Sequence, residues 1–179
     1  ACGLTDEAPG LAAVARAAQH GHVDGATLAH HALELAPGLR VLTGITRAER
    51  WSELPGAALD EVWRAARAWA DVTVVDCGFS LETDEDLVYD THVSQRNGAT
   101  LSVLGAATRL LAVGSAEPLG LQRLVHALPA VRAAAAADPV VVINRVRSEI
   151  AGVRPEEAVA DALLRFAQVP HAWMIPYDQ

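Results

Sequence analysis

Short runs of branched and apolar residues recur along this chain, each separated from the next by a stretch with helical spacing. The runs are Leu39-Arg40-Val41-Leu42-Thr43, Val72-Thr73-Val74-Val75, Leu110-Leu111-Ala112-Val113, Val140-Val141-Val142-Ile143 and Ala172-Trp173-Met174-Ile175. A strand wetted on one face alternates apolar and polar residues. A strand without that alternation is buried on both faces, the habit of parallel sheets covered by helices. The intervening sequence predicts helices over 11–19, 26–35, 59–69, 97–107, 119–136 and 155–167, with Pro129 the point where the fifth could break. In the third, Leu59, Val62, Trp63, Ala66 and Ala70 share one face at i, i+3, i+4 spacing, and Trp63 and Trp69 read as core residues. The expected fold class is α/β: a doubly wound, mainly parallel sheet with helices on both faces. Neither a repeat nor a linker interrupts the 179 residues, which read as one domain.

Composition narrows the chemistry. With 51% apolar residues and a mean hydropathy of +0.20, the chain is neither disordered nor fibrous. Its apolar runs are too short to cross a bilayer. All 14 basic residues are arginine, set against 22 acids for a net charge of −8. That removes a Schiff-base lysine, a lysine general base and a phosphate-loop lysine. It also opposes a mainly electrostatic grip on DNA. An Arg-only, Ala-rich chain is equally what a GC-rich genome writes. Cys2 and Cys77 form no disulfide framework or zinc knuckle, and no secretory leader is visible, so a reducing cytoplasm is expected.

In parallel sheets, ligands bind at the carboxyl ends of the strands. The residues there are Thr43-Gly44, Asp76-Cys77-Gly78, Gly114-Ser115, Asn144-Arg145 and Pro176-Tyr177-Asp178. An aspartate after an apolar run suits Mg²⁺ held beside a nucleotide, or else caps a loop. An amide such as Asn144 carries donor and acceptor together, as reading a base requires.

Taken in order, these segments resemble the MinD/ParA class of P-loop ATPases. Val72–Phe79 is similar to that class's Walker B strand. Asn144-Arg145 resembles its adenine-contacting pair, and Ile175-Pro176-Tyr177-Asp178 its IPxD segment. Gly3–Leu11, Leu39–Gly44 and Arg96–Leu101 resemble the CpaE-like branch. The resemblance implies Mg²⁺ assisted by Asp76, and ATP whose adenine is flanked by Asn144, Arg145, Pro176 and Asp178. It also implies an ATP-driven homodimer that positions septum or pilus machinery, cytoplasmic or peripheral at the membrane. The class works through a KGGxGKS loop, and neither that loop nor any lysine occurs here. The chain is therefore expected to begin just after the phosphate loop and the second strand, lacking the first strands of the fold. It is expected to end before a membrane-binding helix such as MinD carries. As an isolated piece it should be inactive. The alternative is a non-hydrolysing α/β interaction module.

Other constellations weigh less. His20, His22, His30 and His31 could suggest a metal site but read as helix ends, and adjacent His30 and His31 diverge by about 100° on a helix. The acid run Glu82, Asp84, Glu85, Asp86, Asp90 lacks EF-hand spacing. Ser80 and Ser115 lack a nucleophile elbow. Cys77 reads as a small buried residue. Trp51 reads as a loop residue over a nucleotide side or an interface, or simply as a packed surface side chain.

Overall fold

The structure, a computed structural model, describes residues 9–78, 81, 96–147 and 154–178. Cys2, Gly3–Ala8 of the first resembling segment, Phe79, Ser80 and the acid run therefore lie outside the described residues. The chain forms two compact units, residues 1–106 and 107–179.

The first unit holds helices α1 (Gly10–Gln19), α2 (Gly25–His31), α3 (Gly56–Trp69) and α4 (Gly98–Ala106), a hairpin of β1 (Leu33–Ala36) and β2 (Leu39–Val41), and a 3-10 turn at Ala48–Glu53. Alanines on α1 leave room for close helix packing. Ala12, Val14, Ala15 and Ala18 join Leu28 and the α3 face Leu59, Val62, Trp63, Ala66 in one core. Two N–H groups at the start of α1, those of Gly10 and Leu11, donate to the side chain and carbonyl of Thr43, each at 3.0 Å. That answers donors which a helix end otherwise leaves orphaned. Asp24 does the same for α2, accepting from Thr27 N at 2.8 Å and Thr27 Oγ1 at 2.9 Å. These amide and hydroxyl donors hold its carboxyl below the usual range.

Four sequence expectations fail in this unit. The helix expected over 26–35 stops at His31, and Leu33–Ala36 is a strand paired antiparallel with Leu39–Val41. Pro37-Gly38 does not merely end a helix; it turns a hairpin, with Gly38 at φ +77°. Cross-strand pairing, including Arg40 to Glu34 at 3.0 Å, overrides the helical propensity of Ala-Leu-Glu-Leu-Ala. Leu39–Val41 thus belongs to a hairpin, not to a parallel sheet. Val72–Val75 has no ladder partner among the described residues and carries no strand assignment. Val72 and Val74 are 77% and 89% exposed, while Val75 packs on the core. Trp63 is buried as expected, but Trp69 lies at the surface, under Arg40 at 5.8 Å.

The second unit is a three-stranded parallel sheet of β3 (Leu110–Ser115), β4 (Pro139–Val146) and β5 (Trp173–Pro176), in that order. Helix α5 (Pro118–Ala134) joins the first pair and α6 (Pro155–Ala167) follows β4. Helix α5 runs through Pro129 without a break. Because the strands follow one another across the sheet, right-handed crossovers put both helices on the same face. The core there is Ala112, Val141, Ile143 and Val146 against Leu124 and Leu128 of α5 and Val159 and Leu163 of α6. Gly114 permits the approach of α5, since a Cβ there would lie 2.8 Å from Leu124 Cδ2. The opposite face carries Leu111, Val113, Val140, Trp173 and Ile175, all exposed. The α/β class and the parallel sheet are as the sequence implies.

Candidate functional site

Pairing in the second unit brings its strand ends together. Ser115 pairs with Asn144, and Val146 with Pro176. Ala116 N donates to Asn144 O at 2.9 Å, and Tyr177 N to Val146 O at 3.0 Å. Asn144, Arg145, Pro176, Tyr177 and Asp178 all lie exposed at this edge. Asn144 and Arg145 were expected just after the strand; they are instead within β4.

The local backbone explains how a strand can show these two side chains. Between the pairs Ile143–Met174 and Val146–Pro176, β4 spends three steps and β5 two. Arg145 takes the extra step at φ +61°, the left-handed region. Such a bulge re-aims side chains, and bulges gather beside functional sites. Without it, strict alternation would turn Arg145 toward the helix-covered face behind Ile143. With it, Val146 fills that place. Arg145 N donates to Asn144 Oδ1 at 2.8 Å, so the NH₂ end of the Asn144 amide is the end left for a ligand.

Two further residues, Arg147 and Glu117, meet Tyr177 here, a grouping that sequence reasoning did not make. Arg147 lies half-buried, its guanidinium 4.9 Å over the Tyr177 ring and 3.9 Å from Glu117 Oε1 at the start of α5. The basic residues after Asn144 were visible in the sequence, but only the β4–β5 register reveals which side chain faces Tyr177.

Asp76 belongs to the first unit, where it is exposed just after the Val72–Val75 run. Cys77 beside it is half-buried, its Sγ 3.9 Å from Val75 O. Burial first, and the Asp76 charge second, push its thiol up, which favours the protonated form. The histidines serve helix ends: His20 Nδ1 meets Arg16 O at 2.7 Å, and His30 and His31 stack edge to face. Among the described residues no three His, Cys, Asp or Glu side chains converge. Ser115 is packed so closely on Gly120 of α5 that no Cβ fits there. Trp51 sits half-buried in the 3-10 turn.

No protein-family model matches the sequence. No curated protein matches it either. The structure is similar to the crystal structure of a ParA family ATPase from Chlorobium tepidum TLS, with a TM-score of 0.71 over 97% of this chain. The chain has the fold of that ATPase. Sequence identity is 17%, and the likeness spans 63% of the ATPase's length. The strand-end edge described above is thus the carboxyl edge of a ParA-like α/β sheet.

The residues fit parts of a nucleotide unequally. In the second unit, the exposed Asn144 amide and the exposed backbone at Pro176 suit a planar heterocycle; in the first unit, taken by itself, the exposed carboxylate of Asp76 suits a hydrated Mg²⁺. For phosphate the chain offers arginine alone, and Arg147 already faces Glu117. No helix among the described residues is long and apolar enough to cross a membrane.

Proposed function

We propose that this chain is the greater part of an ATP-binding domain of the CpaE/MinD-like kind, from an ATPase that positions septum or pilus machinery. The observation that carries the reading is the bulge that presents Asn144 and Arg145 beside Pro176 at the carboxyl edge of a parallel sheet. Asn144, Arg145, Pro176 and Asp178 would flank adenine, and Asp76 would assist Mg²⁺. In the intact protein, bound ATP would supply a cleavable phosphoanhydride; the residues of the second unit would bind and orient the base, and Asp76 of the first would hold the hydrated ion. The neighbour's description as an ATPase, and the β-branched Val72–Val75 run followed by Asp76, support the reading. The intact protein would act as a homodimer, cytoplasmic or peripheral at a membrane.

A second reading is a non-hydrolysing interaction module with the same fold. The complete absence of lysine favours it, together with the exposed apolar face of Leu111, Val113, Val140, Trp173 and Ile175.

Amide-resolved NMR titrations of the chain with adenosine and with Mg·ATP decide between them. The first reading expects shifts confined to residues 144–147 and 176–178, lost in Asn144→Ala and similar for both ligands. Similarity follows because the base end is present and the phosphate loop is not. No response to either ligand would leave the interaction module standing.

A further inference from the structure

We propose that Arg147 is a positioning residue that holds the Asn144–Arg145 bulge in its ligand-presenting shape. This rests on the reading of that edge as a base-binding site. A left-handed arginine persists only where its surroundings over-determine it. The bulge is bracketed by two backbone bonds, Ala116 N to Asn144 O on the β3 side and Tyr177 N to Val146 O on the β5 side. Arg147 is the next residue after Val146, and its side chain joins the elements that carry those bonds. It lies 4.9 Å over the ring of Tyr177, whose own N–H makes the β5-side bond. It also reaches Glu117, one residue beyond Ala116, whose N–H makes the β3-side bond.

One guanidinium therefore ties the ends of all three strands and the start of α5 around the strained step. A planar, forked cation can stack on a ring and address a carboxylate at once; an ammonium is a point charge and does the second only. Its contacts with Tyr177 and Glu117 adjoin the two backbone bonds that flank the bulge, so its influence on a bound base is exerted through the backbone of residues 144–146.

The test uses Arg147→Met, Arg147→Lys, Tyr177→Ala and Tyr177→Phe in the full chain, read by NMR without ligand and then with adenosine. Expected without ligand is Tyr177 amide exchange faster by about tenfold or more in the first three variants, with a changed HN–Hα coupling at Arg145. Core amides such as Ile143 and Leu163 should keep wild-type protection, and Tyr177→Phe, which keeps the ring, should resemble wild type. With ligand, the same three variants should weaken adenosine binding by about tenfold, since each loosens the presented amide. Wild-type exchange and coupling in Arg147→Met would overturn the positioning role, whatever adenosine does. An Arg147→Lys variant that behaves as wild type would overturn the requirement for stacking. A wild-type chain that ignores adenosine would sink the base-site reading alone, and the ligand-free measurements would still decide the role of Arg147.

Discussion

Ile143 and Val146 face the same helix-covered side of the sheet although three positions separate them, and Arg145 at φ +61° is the residue that changes the count. The side-chain period of a strand is two, so the bulge converts a misplaced arginine into an exposed one and keeps valine in the core.

Replacing Arg145 with glycine should therefore leave the fold as stable or raise stability by up to about 1 kcal/mol, because glycine adopts this conformation freely. Valine at the same position, branched at Cβ, should cost about 1–2 kcal/mol. Urea unfolding of both variants, followed by far-UV circular dichroism, checks the order. Equal stabilities would mean that the step is not strained.

Trp63 Nε1 donates to Ser102 Oγ at 2.9 Å, and that hydroxyl donates to Asp60 Oδ1 at 2.6 Å. Ser102→Ala strands the indole N–H of a nearly buried ring and should cost about 1–2 kcal/mol. The indole emission of Trp63 should shift with it. A loss below a few tenths of a kcal/mol would show that water replaces the hydroxyl.

Asp24 carries a pH dependence of definite sign. Its carboxyl is held below the ordinary value by the Thr27 amide and hydroxyl, so the ionised form stabilises the folded chain above the unfolded value and loses that advantage as pH falls through the folded one. Asparagine also caps helices but does not titrate. The stability difference between the natural protein and Asp24→Asn should shrink on acidification from about pH 6 to about pH 3. Thermal melts at both pH values read it, and a constant difference would contradict the carboxylate's role.

ATP hydrolysis is expected to be absent from this chain. A glycine-rich loop and its lysine supply the phosphate electrostatics on which such catalysis rests, and the sequence has no lysine. Phosphate release should stay at background and be unchanged by Asp76→Ala. Release above background that Asp76→Ala abolishes would refute the expectation.

DNA binding is also expected to be absent. The local basic cluster is Arg145, Arg147 and Arg154, with Glu149, Glu156 and Glu157 interleaved. Two of its arginines are engaged, Arg147 with Glu117 and Arg154 with Glu157 at 3.1 Å. The net charge of −8 opposes approach to a polyanion. Fluorescence anisotropy at about 0.15 M salt should show no association. Micromolar binding lost in an Arg145→Ala, Arg147→Ala double variant would reverse this conclusion.

What the sequence made legible was local. The β-branched run Val140–Ile143 read as a strand, and the α3 face of Leu59, Val62, Trp63 and Ala66 followed from its spacing. The β1 strand was hidden because Ala32–Ala36 favours a helix until Leu39–Val41 pairs with it. Val72–Val75 has the β-branched composition of a strand, yet a ladder also needs a partner, and composition names none. Asn144 was visible as a polar residue ending an apolar run. The contact of Arg147 with Tyr177 was not, because the two residues lie 30 positions apart and meet only through the pairing of β4 with β5 and its one-residue slip in register.

The strand order of the second unit bears on how quickly it forms. Strands β3, β4 and β5 are neighbours in the chain as well as in the sheet, and each pairing closes one loop of roughly helix-and-turn length. No strand must wait for a distant segment to be threaded between two others. For residues 107–179 considered by themselves, the search is short for a parallel sheet, and folding should proceed by adding one strand–helix step to the last rather than through a slow global pairing.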